Sequence, residues 1–146
     1  MNKMKFALSL AIIIFGVSFA SAQYGGSKKM KTMLSGAAEV PGPGDTDGSG
    51  KASISINRAQ TQVCYEISVS KIAAATMAHI HEGAWDVAGP VAVSLTTPGA
   101  NGKSKGCVEA APDIIKRLID NPENFYINVH TTDFAAGAIR GQLGKK

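Results

Sequence analysis

The chain has 146 residues, of which 15 are basic and 11 acidic, and it carries a formal net charge of +4 at neutral pH. Part of this positive charge comes from Lys3 and Lys5, which lie close to the N-terminus. No basic stretch with interleaved aromatic residues follows, and this argues against nucleic acid as a partner.

The first 22 residues have the features of a secretory signal peptide. The two lysines are followed by an apolar run over residues 6–19, and Ala20-Ser21-Ala22 forms a small-residue cleavage signal. The run is short for a transmembrane helix, so we expect no stable membrane insertion after cleavage, with retention as an anchor as the alternative. The sequence thus predicts a secreted or periplasmic protein with a flexible stub over residues 23–30 and one domain over residues 31–146.

Alternating apolar and polar residues predict short β-strands along most of this domain. A first strand begins near Lys31, and a turn-rich loop follows over residues 41–48. The two alternating runs over residues 52–57 and 63–69 are typical of a hairpin. Further strands are predicted at 78–82, 91–95, 104–109, 125–131 and 138–143. Many short strands with regular turns indicate an all-β fold, an antiparallel β-sandwich of Greek-key-like topology.

One short helix is predicted to interrupt the strands near residues 112–121. Pro112 and Asp113 suit the first turn of a helix, where a missing N–H and a negative charge are both favourable. Asn121-Pro122 ends the helix, because the residue before a proline avoids the helical conformation. The apolar residues of the predicted inward face are Ile114, Ile115, Leu118 and Ile119.

The chain contains two cysteines, Cys64 and Cys107. An even number of cysteines in an oxidising compartment favours a disulfide. Such a bond would close a loop of about 44 residues and stabilise the fold by on the order of 4 kcal/mol in the chain-entropy model. The alternative is a thiolate metal site, but both cysteines lie away from the histidines in the sequence. We therefore predict a Cys64–Cys107 disulfide.

All three histidines of the chain fall on predicted strands. His79 and His81 are two residues apart, so they project from the same face of a strand. If the strand that carries His130 lies alongside, the three imidazoles converge on one point. Three neutral imidazoles without a thiolate suit copper or zinc. The sequence therefore predicts a metal site formed by His79, His81 and His130.

Four further residues lie near the predicted site. Met77 shares the histidines' face on a regular strand, and its thioether favours Cu(I), with simple packing under a loop as the alternative. Glu82 and Asp133 are candidate outer ligands, or else ordinary exposed acids. Arg140 either guides an anion towards the site or bonds to an acid or a loop carbonyl. Because the histidines fall on polar strand faces, we expect the site at the sheet surface beneath loops.

Four motifs in this chain resemble the chordin-type (CHRD) domain, a family found in chordin and in many secreted bacterial proteins. They are Ala-His-Ile-His-Glu-Gly at 78–83, Gly-Pro-Val at 89–91, Asn-Val-His-Thr at 128–131 and Gly-Ala-Ile-Arg-Gly-Gln-Leu at 137–143. Their order and spacing follow the family's pattern, except that Ala138 stands where the family commonly has glutamate. The resemblance implies the fold more than it implies an activity.

A second resemblance concerns the histidines alone. A His-x-His pair on one strand and a lone histidine on a late strand are similar to the copper half of copper/zinc superoxide dismutase. The chain lacks a fourth, bridging histidine and a cluster of zinc ligands, so dismutase activity is not expected. The resemblance implies copper as the bound ion.

The sequence therefore predicts a secreted protein that binds one copper ion, or zinc as the alternative, for copper handling or redox chemistry. No Ser-His-Asp or Cys-His nucleophile set is visible, so a binding protein is expected rather than an enzyme. The alternative function is a non-catalytic extracellular structural or protein-interaction module. Its histidines would be structural, and its partner would be another extracytoplasmic protein.

Overall fold

A computed structural model describes residues 29–144 of the chain. The predicted signal peptide and most of the predicted stub lie outside the described residues. The strands are β1 Met30–Ser35, β2 Ser49–Ile56, β3 Gln62–Ser70, β4 Ala75–Glu82, β5 Val91–Leu95, β6 Lys103–Glu109, β7 Phe125–Thr131 and β8 Ile139–Gln142. The helices are α1 Pro112–Asp120 and two 3₁₀ turns, Gly36–Ala38 and Pro122–Asn124. β1 therefore begins one residue before the predicted start of the domain.

The eight described strands form one antiparallel sheet in the order β5-β4-β7-β8-β1-β2-β3-β6. The predicted all-β antiparallel class with one short helix is confirmed. The two ends of the sheet approach each other at Thr96, which follows β5. Its N–H donates to the Tyr65 hydroxyl of β3 at 2.9 Å, and its carbonyl accepts from Ser104 of β6 at 2.7 Å. The sheet thus curls into a nearly closed barrel instead of dividing into two separate sheets.

The core lies inside this curled sheet, where the apolar side chains of alternate strand positions meet. Ile54, Ile80 and Ile127 come from three different strands, and none of them has measurable exposure. The opposite sheet face carries the polar members of the same alternation. A period of two residues places the apolar side chains on the inner face of a curled antiparallel sheet. On β7 and β8 the polar residues of the outer face are buried as well.

Helix α1 has the predicted extent and covers part of the core. Ile115 and Leu118 are buried, as their positions on the predicted inward face require. The prediction for Ile119 is wrong, since its side chain is 43% exposed. The nine residues of α1 bury a stripe narrower than the sequence suggested, because the helix lies against the barrel along one line. No helix within residues 29–144 is long and apolar enough to cross a membrane.

The predicted disulfide is confirmed. Cys64 of β3 lies directly opposite Cys107 of β6, and the two sulfur atoms are bonded. β6 is an edge strand of the sheet, and β3 is its only hydrogen-bonded neighbour among the described strands. The bond therefore ties an edge strand to the rest of the barrel.

We predict that the Cys64→Ser/Cys107→Ser double variant is less stable by about 4 kcal/mol, because a covalent bond between cysteines 43 positions apart restricts the unfolded chain. For a domain of this size the melting temperature should fall by about 10 °C or more. Thermal unfolding with and without a reductant provides the measurement. The reductant should lower the melting temperature of the wild type and leave that of the double variant unchanged. Equal melting temperatures for the wild type and the double variant in the absence of reductant would contradict the prediction.

Candidate metal centre

The pairing of β4 with β7 brings the three histidines together. In this antiparallel pair Met77 lies opposite His130, His79 opposite Asn128, and His81 opposite Tyr126. Directly opposed residues share a sheet face, so all three imidazoles project from the face that points away from the core. The strand that carries His130 thus lies alongside the His-x-His strand, as the sequence predicted.

The three imidazoles form one compact cluster. One ring nitrogen from each of His79, His81 and His130 lies within 4.8 Å of the other two. His79 Nδ1 and His130 Nε2 are 3.2 Å apart. A metal–nitrogen bond of about 2.0–2.1 Å places two ligand atoms roughly 3.3–3.6 Å apart, so small movements of the rings would hold one ion once both nitrogens of this pair present a lone pair.

Two loop carbonyls determine which nitrogen of His81 and of His130 carries a proton. His81 Nδ1 lies 3.0 Å from the Gly89 carbonyl, and His130 Nδ1 lies 3.1 Å from the Ala135 carbonyl. Because a carbonyl only accepts, both Nδ1 atoms must donate, and in the neutral rings both Nε2 atoms keep a lone pair. His81 Nε2 is buried and has no hydrogen-bond partner. A carbonyl that orients a histidine in this way is the usual outer partner of a metal ligand.

Burial keeps the three imidazoles in the neutral form that binds metal. It is the main cause that lowers the pKa of His79, and the neighbouring rings of His130 and His81 lower it further. Burial likewise lowers the pKa of His81 and of His130, although the bonds to their loop carbonyls act in the opposite direction. At neutral pH the cluster is therefore a set of uncharged nitrogen donors.

The loop over residues 83–90, here the roof loop, covers the site. Arg140, only 1% exposed, donates to the Val87 carbonyl at 2.9 Å and to the Ala84 carbonyl at 2.7 Å. The prediction that Arg140 bonds to a loop carbonyl is confirmed. Its guanidinium carbon also lies 3.4 Å from the centre of the Tyr126 ring, and the ring of His81 stacks on Tyr126 at 4.9 Å. Since β4 and β8 flank β7 on opposite sides, Tyr126 is held between a site histidine and the anchor of the roof loop.

The loops bury the site more deeply than a position at the sheet surface implied. His81 is 8% exposed and His130 is 4% exposed. The sequence placed these side chains on the correct face, but it could not show that loops would exclude most of the water from that face. A buried site strengthens every electrostatic interaction within it.

The three other residues that the sequence placed near the site do not belong to the histidine cluster. Met77 shares the face of His130 and is 44% exposed, and its coordination of a metal stays a prediction. Glu82 forms an ion pair with Arg117 at 2.8 Å, so its carboxylate ties β4 to α1. Asp133 is an exposed residue.

Glu39 is a buried polar residue that contacts Asn128 of β7, and the sequence did not predict its burial. The carboxyl group is 7% exposed and accepts a hydrogen bond from Asn128 Nδ2 at 3.2 Å, while its Oε1 atom has no partner. Burial raises the pKa of Glu39 to about 7, although the bond from Asn128 and the charge of Arg140 act to lower it. Glu39 follows a 3₁₀ turn, where no periodic pattern indicates burial.

Comparison with known proteins identifies one family. Residues 30–143 match a family model described as the CHRD domain, which is nearly the whole of the described chain. No curated protein and no solved structure matches the chain. The resemblance to the copper half of copper/zinc superoxide dismutase therefore stays a prediction.

Replacing the anchor of the roof loop should destabilise the protein. In Arg140→Met, the carbonyls of Ala84 and Val87 lose their donor, and we expect the free energy of unfolding to fall by at least about 3 kcal/mol. Urea-induced unfolding measures this loss, and hydrogen exchange should show faster exchange in the roof loop. The exposed Arg58 offers a matched control, since Arg58→Met should change stability by no more than about 0.5 kcal/mol. Similar losses for both variants would contradict the assigned role.

Glu39 should make stability depend on pH near neutrality. Its pKa is about 7 in the folded protein against an ordinary 4.5, so the folded state holds the proton more tightly. This contribution is fully present below about pH 4.5 and is lost as the pH rises through about 7. In Glu39→Gln that loss disappears, so the variant's stability relative to the wild type should rise by up to about 3 kcal/mol between pH 4.5 and pH 8.

Urea unfolding at several pH values across this range measures the difference between Glu39→Gln and the wild type. Glu109→Gln, which changes an exposed carboxyl group on β6, serves as the control and should track the wild type at every pH. A difference between Glu39→Gln and the wild type that does not vary with pH would show that Glu39 ionises as an ordinary exposed carboxyl group does.

Proposed function

The chain belongs to the CHRD domain family, and from this starting point we propose that it binds one copper ion through His79, His81 and His130 outside the cytoplasm. Zinc is the alternative ion for the same ligands. The function that this site supports best is metal handling, in which the protein holds an ion and passes it on. A binding protein is proposed here, not an enzyme.

The unpartnered Nε2 atom of His81 carries this proposal. This atom is buried and keeps its lone pair, and the ring is already oriented by a hydrogen bond from Nδ1 to the Gly89 carbonyl. A buried acceptor without a partner costs about 1–3 kcal/mol, and a bound cation would remove that cost. The Nε2 atom of His130, oriented in the same way by Ala135, lies in the same cluster.

The ligand set favours copper in its monovalent state. No carboxylate joins the cluster among the described residues, and both cysteine sulfurs are bonded to each other. Any charge on the ion would therefore stay uncompensated by its ligands, close to the buried guanidinium of Arg140. A single positive charge costs less to bury than two, which favours Cu(I) over Zn²⁺. Imidazole nitrogens together with a soft thioether such as that of Met77 are suitable Cu(I) ligands.

The disulfide bears on the location of the protein, and the burial of the histidines bears on what a bound ion could do. Disulfides persist in oxidising compartments, so the Cys64–Cys107 bond supports a position outside the cytoplasm. Bound copper would supply one-electron redox chemistry, but the roof loop and the low exposure of His81 and His130 restrict access to it. Restricted access suits an ion carrier better than a catalyst that must admit substrate.

A structural role for the histidines is the second candidate function. His81 and His130 each hold one loop through a carbonyl, and His79 contacts His130 at 3.2 Å. These bonds exist without any metal, and they would shape a loop surface for a protein partner. In that case the domain would be an extracellular interaction module.

Titration of the purified protein with Cu(I) under anaerobic conditions separates the two functions. We expect one Cu(I) to be retained per chain after desalting. His79→Ala and His130→Ala should each weaken binding by at least about 100-fold, since loss of an outer-shell partner alone costs about 10–100-fold. Parallel titrations with Zn²⁺ should show weaker binding. Absence of stoichiometric binding by the wild type would overturn the proposal and leave the structural role.

Among residues 29–144 two methionines are exposed, and they provide a matched test of whether Met77 is a fourth ligand. Met77 lies directly opposite His130 on β4, whereas Met33 lies on β1 and is 74% exposed. Met77→Leu should weaken Cu(I) binding without affecting Zn²⁺ binding, and Met33→Leu should change neither. Equal Cu(I) affinities for both variants would remove Met77 from the site and leave the three-histidine centre intact.

A further inference from the structure

The open half of the outer sheet face carries a group of lysines from separate parts of the chain. Two rows of directly opposed residues cross β1, β2, β3 and β6 in order. One row is Lys31, Ser53, Glu66 and Lys105, and the next is Met33, Lys51, Ser68 and Lys103. Lys29, which precedes β1, reaches the same face through its bond to Glu66. We call this surface, with lysines 29, 31, 51, 103 and 105, the lysine face.

The register explains why the lysines are gathered on one side. Leu34, Ile54 and Ile67 occupy the alternate positions of the same strands and point into the core. The residues between them must therefore project outwards. On this half of the sheet the lysine side chains are exposed, in contrast to His81 and His130 on the other half.

Charge is distributed very unevenly over the molecule. Among residues 29–144 the lysine face has five lysines and one glutamate, whereas all remaining residues together have five basic and ten acidic side chains. The lysine face therefore has a formal charge of +4, and the remaining described residues together have a formal charge of −5. Such a concentration of one sign attracts an oppositely charged partner and orients it during approach.

Three of the five lysines have no acidic partner. Glu66 forms ion pairs with Lys29 at 3.0 Å and with Lys105 at 2.6 Å. Within the described part of the chain, Lys31, Lys51 and Lys103 form no ion pair. Their ammonium groups are thus available to an external anion without loss of an existing bond.

The shape and chemistry of the face select among polyanions. A groove of about 1020 Å³ runs over it, lined by the lysines, by serine and threonine hydroxyls and by apolar side chains such as Met33, but by no aromatic side chain. A groove suits a single linear chain better than a flat bilayer surface. Without aromatic rings it lacks the stacking platforms that single-stranded nucleic acids use. Lysines act as separated point charges, which fits carboxylates spaced along a polymer.

We propose that the lysine face binds an acidic polysaccharide, with sugar carboxylates paired to Lys31, Lys51 and Lys103 and a sugar hydroxyl bonded to Ser68, which lies between Lys51 and Lys103. This surface is separate from the histidine cluster and does not depend on metal binding. Residues 31, 51 and 103 are far apart in the sequence, so no basic stripe was visible there.

Binding of a polyuronate to the purified full chain tests the proposal. Polygalacturonate should bind and neutral dextran of similar length should not, as measured by fluorescence anisotropy of labelled polymer. Affinity should fall steeply with salt, because bound counterions are released. The triple variant Lys31→Gln/Lys51→Gln/Lys103→Gln should bind polygalacturonate about tenfold more weakly or worse, with a shallower dependence on salt.

Three basic residues outside the face allow a control of equal charge. Arg58→Gln/Lys71→Gln/Lys116→Gln removes the same formal charge and should bind polygalacturonate within about twofold of the wild type. Salt screens charges that are distant from the polymer, so only lysines in contact with it affect the affinity. Equal losses in the two triple variants would show attraction by net charge alone and would overturn the assignment. Tighter binding to duplex DNA or to anionic phospholipid vesicles than to polygalacturonate would overturn the choice of a polysaccharide.

Discussion

Two hydrogen bonds, from the Nδ1 atoms of His81 and His130 to the carbonyls of Gly89 and Ala135, determine what the histidine cluster can do. They place a proton on Nδ1 of each ring and leave Nε2 as an acceptor. In water either tautomer would be available, but a buried carbonyl accepts a proton donor and nothing else. The chemistry of the site thus depends on the loops that supply these carbonyls. The register of β4 against β7 only brings the rings within reach.

The roof loop needs its own support, and a buried polar layer on β7 and β8 supplies it. Arg140 and Gln142 donate to loop carbonyls, and Tyr126 packs between Arg140 and His81. Burying a guanidinium is costly unless its donors find acceptors, so this layer and the loop stabilise each other. Glu39 offsets part of the guanidinium's charge and has its own pKa raised by burial. The same strands therefore support the core on one face and a polar site on the other.

Strand alternation, turn residues and the helix signals predicted most of the fold, because each depends on neighbours in the sequence. The His-x-His spacing also placed His79 and His81 correctly on one face. The curl of the sheet into a nearly closed barrel could not be read from the sequence, since it depends on contacts such as Thr96 with Tyr65, which are 31 residues apart. Glu39 and the lysine face were missed for the same reason. Both are produced by long-range pairing, and no local period marks them.

Long-range ¹H–¹⁵N correlation spectra of the imidazole nitrogens test the central claim most directly. In the metal-free protein, His81 and His130 should both be Nδ1–H tautomers with an unprotonated Nε2. One equivalent of Cu(I) should then shift the Nε2 resonances of both rings and leave the protons on Nδ1. An Nε2–H tautomer of His81 in the metal-free protein, or Nε2 resonances that do not respond to Cu(I), would contradict the account.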